Sequence, residues 1–501
     1  MKTAAPAFGV PKGVRSGLLG LLFAIAPAAL LLGCGSSISG FSGGGPPPPQ
    51  NSTVVLLLTS TANDKPAVFG IGIDSVQLVD QAGKAVTLYT FDNQGRQPAE
   101  FMHLNGASEP LSITSVPQGI YSSAVVTTNS CAFTTISVAS PGVGQPSTLI
   151  TSTYAEGLCG QGTGQTTVNL PSPIMVSGST VALSLNLQVP QSYALTGTGA
   201  NAPYTISPVF TLTQSTISPN PTNDENGKIT GLDARIIAVN ATGSTFQIQT
   251  ISSVSLTLSA GANTVFQGLS GIAALSTGEI VNTDVAIQSD GSLLATRVEV
   301  GDSAATGDLV GPWLAYTGNP GVFIIDPSGC FLAPDEVACD SITNATNVTA
   351  FNISGQINNM GNLPFTPTFN ASALVLGANL STYWNGDRDP QSEPYATTVV
   401  LRPQTIDGTV TAMSTMNGFS VYTVQLASYD LIPTLQQYIP IGYPNELNPP
   451  SSIVVYADSN TQLLNSQNIS TGSVLRFRGV IFDDNGTARM DCQEILDGVT
   501  E

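Results

Sequence analysis

Short alternating runs of apolar and polar residues dominate this chain, and they constrain its fold more than any other feature. "STVVLLLTST" (Ser52–Thr61), "GIDSVQLVD" (Gly72–Asp80), "GIYSSAVVTT" (Gly119–Thr128) and "STVALSLNLQV" (Ser179–Val189) are rich in Val, Ile, Thr and Tyr. Gly, Pro, Asn and Asp separate them. Period-two runs of strand length bounded by turn residues are β-strands, and helical periodicity is nearly absent. The chain is expected to be all-β. Charged residues are 9% of the 501, far below the usual quarter, so Ser, Thr, Asn, Gln and Gly must cover the surface.

The start of the chain is of a different kind. Lys2, Lys12 and Arg15 precede the apolar run "GLLGLLFAIAPAALLLG", Gly17–Gly33. A basic segment before an apolar stretch with small residues at its end is an export signal. The run is short of the roughly 20 residues that span a bilayer, and Pro27 interrupts it. It ends in Leu31-Leu32-Gly33-Cys34, which resembles the lipobox of bacterial lipoproteins. That resemblance implies cleavage before Cys34, lipid on its sulfur and amine, and residence in the bacterial cell envelope as an exported, membrane-anchored protein. Residues 1–33 are then the signal, and 34–52, with "GSSISGFSGGGPPPPQNS", a flexible Gly/Ser/Pro tether between lipid and folded domain.

The formal charge is −19, or −22 once Lys2, Lys12 and Arg15 are removed. This disfavours nucleic acid and anionic membrane surfaces as partners, since both are bound through Lys and Arg, and no nucleic-acid partner is expected. Export permits disulfides among the cysteines left after Cys34. Cys330 and Cys339 enclose a short loop and Cys131 and Cys159 share one region, so each couple is a candidate pair by proximity. Cys492 is then either a buried free thiol or a partner to one of the other C-terminal cysteines, because sequence does not fix connectivity.

Residues 53–213 are expected to form a β-sandwich. "SVPQGIYSSAVVTT", Ser115–Thr128, has a Pro-x-Gly turn feeding a Tyr-led strand. With "GIDSVQLVDQAGKAVTLYT" it resembles the N-terminal β-sandwich domain of unknown function found in bacterial lipoproteins. Where that family often carries "TDAP", this chain has "TANDKPAVFG". Residues 214–228, with "TISPNPTNDENGK", are a linker by composition; "NDENG" has a faint look of a calcium loop but lacks the later glutamate.

The remainder is a degenerate internal repeat with units at 229–302, 303–404 and 405–501. In the first and third units a strand with Gly at its third residue, Gly231 or Gly408, comes first. Then come an aromatic-led strand, an Asn-Thr pair and a Ser-Thr-Gly turn. An Asp/Asn-Gly hairpin precedes the last strand. The second unit is more diverged, with inserted loops. These units resemble a small β-barrel domain of unknown function that occurs in tandem in bacterial secreted proteins. The expected architecture is therefore an N-terminal β-sandwich followed by three small OB-like β-barrel repeats. Closed barrels have few open edges, which suits stacking in tandem.

Catalytic signals are scarce. His103 is the only histidine, so a multi-histidine zinc site lacks its ligands, and a Ser-His-Asp hydrolase would need His103 itself, which nothing around it recommends. No phosphate loop or dinucleotide fingerprint occurs. Two acidic clusters invite attention: Asp326, Asp335, Glu336 and Asp340, and Asp387, Asp389 and Glu393 beside Trp384. Their bland reading is hydrated hairpin loops. Their functional readings are a glycan site, with Trp384 as stacking platform, or a calcium loop through oxygen ligands. The chain is expected to be a non-enzymatic binding or structural module without a cofactor, its partner an envelope protein or a glycan. A carbohydrate-binding or carbohydrate-active lipoprotein is the alternative, and a calcium-dependent adhesin the weaker one.

Overall fold

A computed structural model describes residues 50–498, apart from 63–65, 92–98, 140–147, 153–154, 158–163, 196–203, 306, 317–322, 326–328, 332–342, 346–350, 354–362, 368–372, 389–393, 436–449, 465 and 467. The chain is all-β, as its alternating runs require. Two sheets form the sandwich. One has the order Phe210–Ser215, Thr180–Gln188, Asn51–Thr61, Ser108–Pro117, with the central two strands parallel. The other is built on the long pair Pro66–Asp80 and Gly119–Ala139. At the Pro-x-Gly turn the buried Tyr121 hydroxyl donates to the Pro117 carbonyl at 2.8 Å. The phenol thus ties its own strand back to the preceding one.

The first strand explains a departure from strict alternation. Val54, Leu56 and Leu58 enter the sandwich core, while Val55 and Leu57 enter the core of the first barrel. A strand buried on both faces reads as a continuous apolar run, and "VVLLL" is that run. Sandwich and barrels accordingly belong to one compact unit, Pro49–Glu501.

The first repeat closes into a five-stranded barrel from Lys228–Asn240, Thr245–Thr250, Ser255–Gln267, Ile280–Ile287 and Leu293–Glu299. The third closes from Pro403–Met416, Phe419–Leu426, Ser452–Leu464, Val474–Asp484 and Thr487–Asp497. In both the order around the barrel is first, second, third, fifth, fourth, with the third and fifth strands parallel. This is the ladder of an OB-type Greek-key barrel. The described strands of the second repeat follow the same path as a seven-stranded sheet. Gly307–Tyr316 pairs with Asn379–Arg388, that strand with Pro394–Leu401, and the last runs parallel to Phe351–Ile353.

The repeated sequence motifs have local causes. In the Asn-Thr pairs, Thr264 accepts from the Gly261 amide at 2.8 Å and donates to the Ala295 carbonyl at 2.6 Å. Thr461 repeats this with Asp458 at 3.0 Å and Cys492 at 2.9 Å. Each hydroxyl bridges the break in the ladder between the third and fifth strands, just past the point where the third strand leaves the second. In the Ser-Thr-Gly turns, the amides of Gly278 and Gly472 donate to Ile236 and Val410, each at 2.8 Å.

The register corrects one alignment. Asp233 opposes Asn282 and Asp407 opposes Arg476, so these two aspartates correspond. Gly231 and Gly408 therefore stand three positions apart in the barrels. Gly231 holds a positive φ of 69° at a bulge. Gly408 is required by close approach, since a Cβ there would lie 2.4 Å from Val424 Cγ1. The residues read as a linker are also structured: Asp224–Asn226 is a 3₁₀ turn with a capping box from Asn223.

Candidate functional site

Ionisable side chains converge where residues 101–107 of the sandwich meet the three repeats. The approach begins at Glu100, whose carboxylate accepts from the amides of Phe69 at 3.0 Å, Met102 at 2.9 Å and His103 at 3.0 Å. This pins the segment. It also aims His103, whose Nδ1 lies 3.0 Å from Glu100 Oε2 and whose Nε2 lies 3.5 Å from Glu109 Oε2. Burial opposes a charge on the imidazole. The hydrogen bonds and negative charges of Glu100 and Glu109 outweigh it and push the pKa up to about 10. His103 is a clamped imidazolium at neutral pH, in no state to accept a proton.

Asn105 is the contact to barrel three. Its carbonyl accepts from Thr405 Oγ1 at 2.6 Å and from Arg478 Nη1 at 3.4 Å, and its Oδ1 from Arg476 Nη1 at 2.8 Å. Gly106 follows with φ +73°. Glu109 reaches barrel one by accepting from Ser252 Oγ at 3.1 Å. Ser108 donates to Asp224 at 3.0 Å, and Asp224 also accepts from Thr230 at 2.6 Å.

Barrel one and the second repeat meet through a buried chain of charges. Arg297 contacts Asp284 at 2.9 Å, Asn282 Oδ1 at 2.7 Å and Glu299 at 3.1 Å. Glu299 in turn faces Arg402 at 3.5 Å. Arg402 donates to Tyr383 at 2.6 Å and to Ser381 at 2.7 Å. Burial pushes the Tyr383 hydroxyl up despite Arg402, so it stays neutral. Burial and then the Asp233 charge push Asp308 far above the usual carboxylate range.

One position recurs. The fifth strand of each repeat has a bulge against the fourth, at Thr296, Thr397 or Gln493, and the fourth-strand residue just before the shift is Asp284, Tyr383 or Arg478. Three different side chains at one barrel position thus supply contacts to a neighbouring strand, repeat or domain.

Between these groups lies a cavity of about 50 Å³ lined by His103, Glu109, Asp233, Asn282, Arg402 and Arg478. A water needs about 10–15 Å³ of such space, so it has room for a few waters and not for an organic substrate. Glu109 Oε1 and Asn379 Oδ1 are buried there without a hydrogen-bond partner among the described residues, and water is the natural partner.

The residues singled out from sequence lie elsewhere. Cys34, Cys159, Cys339, Asp389 and Glu393 fall outside the described residues, as do Asp326, Asp335, Glu336 and Asp340. Cys131 is half-buried against the sandwich core, and Cys330 belongs to the strand Gly329–Phe331. Both candidate cysteine pairings extend beyond the described residues. Trp384 and Asp387 are placed by backbone on the strand Asn379–Arg388, with Trp384 opposite Ala396; their side chains are outside the description. Cys492 is a free, buried thiol, which settles one of the two readings of it. Glu100, Asn105, Glu109, Arg402 and Arg478 had no motif to announce them. The only signal for the four charged ones is charge beside apolar residues, as with Arg478 in "LRFRG", in a chain that uses charge sparingly, and neutral Asn105 carries none. A search of known protein families finds no match to this chain, and a search of curated proteins finds none either.

Proposed function

We propose that this chain is a lipid-anchored, non-enzymatic protein of the bacterial envelope that displays a rigid set of β-domains as a binding or structural module. The observation that carries the reading is how the converging ionisable groups are used. The His103 imidazolium is held between Glu100 and Glu109, and Asn105 is bonded to barrel three. Arg402 is bonded to Tyr383 and Ser381. Groups engaged in this way fix domains to one another, and the cavity among them is too small for an organic substrate.

Anchoring rests on the basic segment, the apolar run Gly17–Gly33 and the lipobox-like Cys34. Pairing of Cys131 with Cys159 and of Cys330 with Cys339 belongs to the same exported reading. Intact mass of the mature protein from its native membrane fraction is the test. A chain beginning at Cys34 and carrying acyl groups supports it, with Cys34→Ala moving the protein to the soluble fraction. An unacylated product that is soluble without that substitution overturns it.

A further inference from the structure

A second cleft, of about 550 Å³, separates the sandwich from barrel three. Four carboxylates line it, Asp224, Glu225, Glu494 and Asp497, against one base, Arg476. The facing sandwich wall carries Thr59, Thr61, Asn186 and Gln188, joined in a ladder of hydroxyl and amide hydrogen bonds. An acidic rim alone would specify nothing.

Glu494 adds an independent observation. It is only 6% exposed, yet Oε2 has no hydrogen-bond partner and the carboxylate has no ion pair among the described residues. Its cross-strand neighbour is Arg478, whose Nη1 is directed to the Asn105 carbonyl instead. Burial, then the Asp224 charge, push the Glu494 carboxyl up to about 8, with Glu225 adding to the rise and Arg478 and Lys228 opposing it. Asp224 is raised to about 6, again by burial first, against Thr230, Arg478, Ser108 and Lys228. A buried carboxylate without a donor is costly. A donor carrying positive charge, entering from the cleft, would relieve that cost and the repulsion together.

We propose that this cleft docks a basic polypeptide segment, with a lysine ammonium or arginine guanidinium donating to Glu494 and Asp224, Glu225 and Asp497 around it. The hydroxyl and amide wall supplies partners for the backbone of such a segment. The inference deepens the binding-module reading by naming a partner chemistry. It does not depend on the anchor, so failure to bind and failure to anchor are separate results.

The test is calorimetric titration of the purified full chain at low salt with the peptide Gly-Lys-Gly-Lys-Gly, the same peptide with acetylated lysines, and spermidine. The unmodified peptide binds, the acetylated one does not, and spermidine binds more weakly. Glu494→Gln weakens the peptide by at least about tenfold, the scale for losing one partner of a buried charge pair. At pH 7 binding releases a proton, seen as heat that varies with the buffer's ionisation enthalpy, and Glu494→Gln abolishes that release. Absence of peptide binding, or affinity unchanged in Glu494→Gln, overturns the site. Spermidine binding as tightly as the peptide overturns the polypeptide as its ligand. Should Glu494→Gln fail to fold, Glu225→Gln and Asp497→Asn serve, each weakening the peptide severalfold; full affinity in both overturns the proposal.

Discussion

Asp284 and Arg297 face each other across the fourth and fifth strands of barrel one, 2.9 Å apart, at the last position before a bulge. Arg478 and Glu494 hold the corresponding positions in barrel three with the charges exchanged. The first pair is closed by direct contact. The second is open, because Arg478 is directed toward the sandwich. One repeat thus spends the position on its own stability, and the other spends it on domain contact.

Arg297 serves Asp284 and Glu299 at once and is 5% exposed. Arg297→Ala takes the nearest cation from two buried carboxylates, leaving Asp284 only Lys228 at 3.8 Å and Glu299 only Arg402 at 3.5 Å, and is expected to cost about 3–5 kcal/mol. The double change Asp284→Asn with Arg297→Met recovers part of this by removing charge from both sides. Urea denaturation monitored by tryptophan fluorescence measures both. A single-variant loss below about 1 kcal/mol would show that the pair is not holding the barrel.

The His103 clamp has a pH signature. Its pKa rises from 6.5 in the unfolded chain to about 10 in the fold. A group raised in this way contributes its full stability below pH 6.5 and loses it as pH climbs through 10. Wild type should therefore melt well above His103→Gln at pH 6, and the gap should narrow steadily toward pH 10.5. A gap that is constant with pH would mean the imidazole acts by packing and not by charge.

The fold was more legible in sequence than the site. Alternation gave strands, and the Asn-Thr and Ser-Thr-Gly motifs marked real repeat positions, because each is a local hydrogen-bonding device. Gly231 and Gly408 misled the alignment, since one glycine answers a positive φ and the other a crowded neighbour. The junction was not legible for a different reason. Asn105 and Arg476 are 371 residues apart in sequence, and nothing local to either says that they meet. Only their fourth-strand position beside the fifth-strand bulge unites Asp284, Tyr383 and Arg478, and their chemistry differs too much for a sequence comparison to match them.

Glu494 makes the opposite case to His103 in terms of function but has the same sign of linkage. Its pKa rises from 4.5 to about 8. The fold holds the proton more tightly than the unfolded chain, so this carboxyl opposes folding increasingly as pH rises from 4.5 through 8. Glu494→Gln should melt higher than wild type at pH 8.5 and close to it at pH 4.5. Equal melting temperatures at both values would remove the claim that a buried charge is carried there at cost.

Gly479 follows Arg478 at the bulge of barrel three, and a Cβ there would lie 2.1 Å from the Asp491 carbonyl oxygen and 2.9 Å from Cys492 Cα. Both are backbone atoms of the paired strand and have no rotamer to yield. Gly479→Ala must therefore part the fourth and fifth strands, at more than the usual 1–3 kcal/mol of an overpacked core. Those strands carry Arg476, Arg478 and Glu494, so the damage should travel. Hydrogen exchange should rise in Val474–Asp484 and Thr487–Asp497 and also in residues 101–107, which lose the Arg476 and Arg478 contacts to Asn105. Gly119→Ala, where a Cβ meets nothing within 4 Å, should exchange like wild type. Protection retained at 101–107 while barrel three opens would mean that the sandwich positions this segment alone, through Glu100 and the amides it binds.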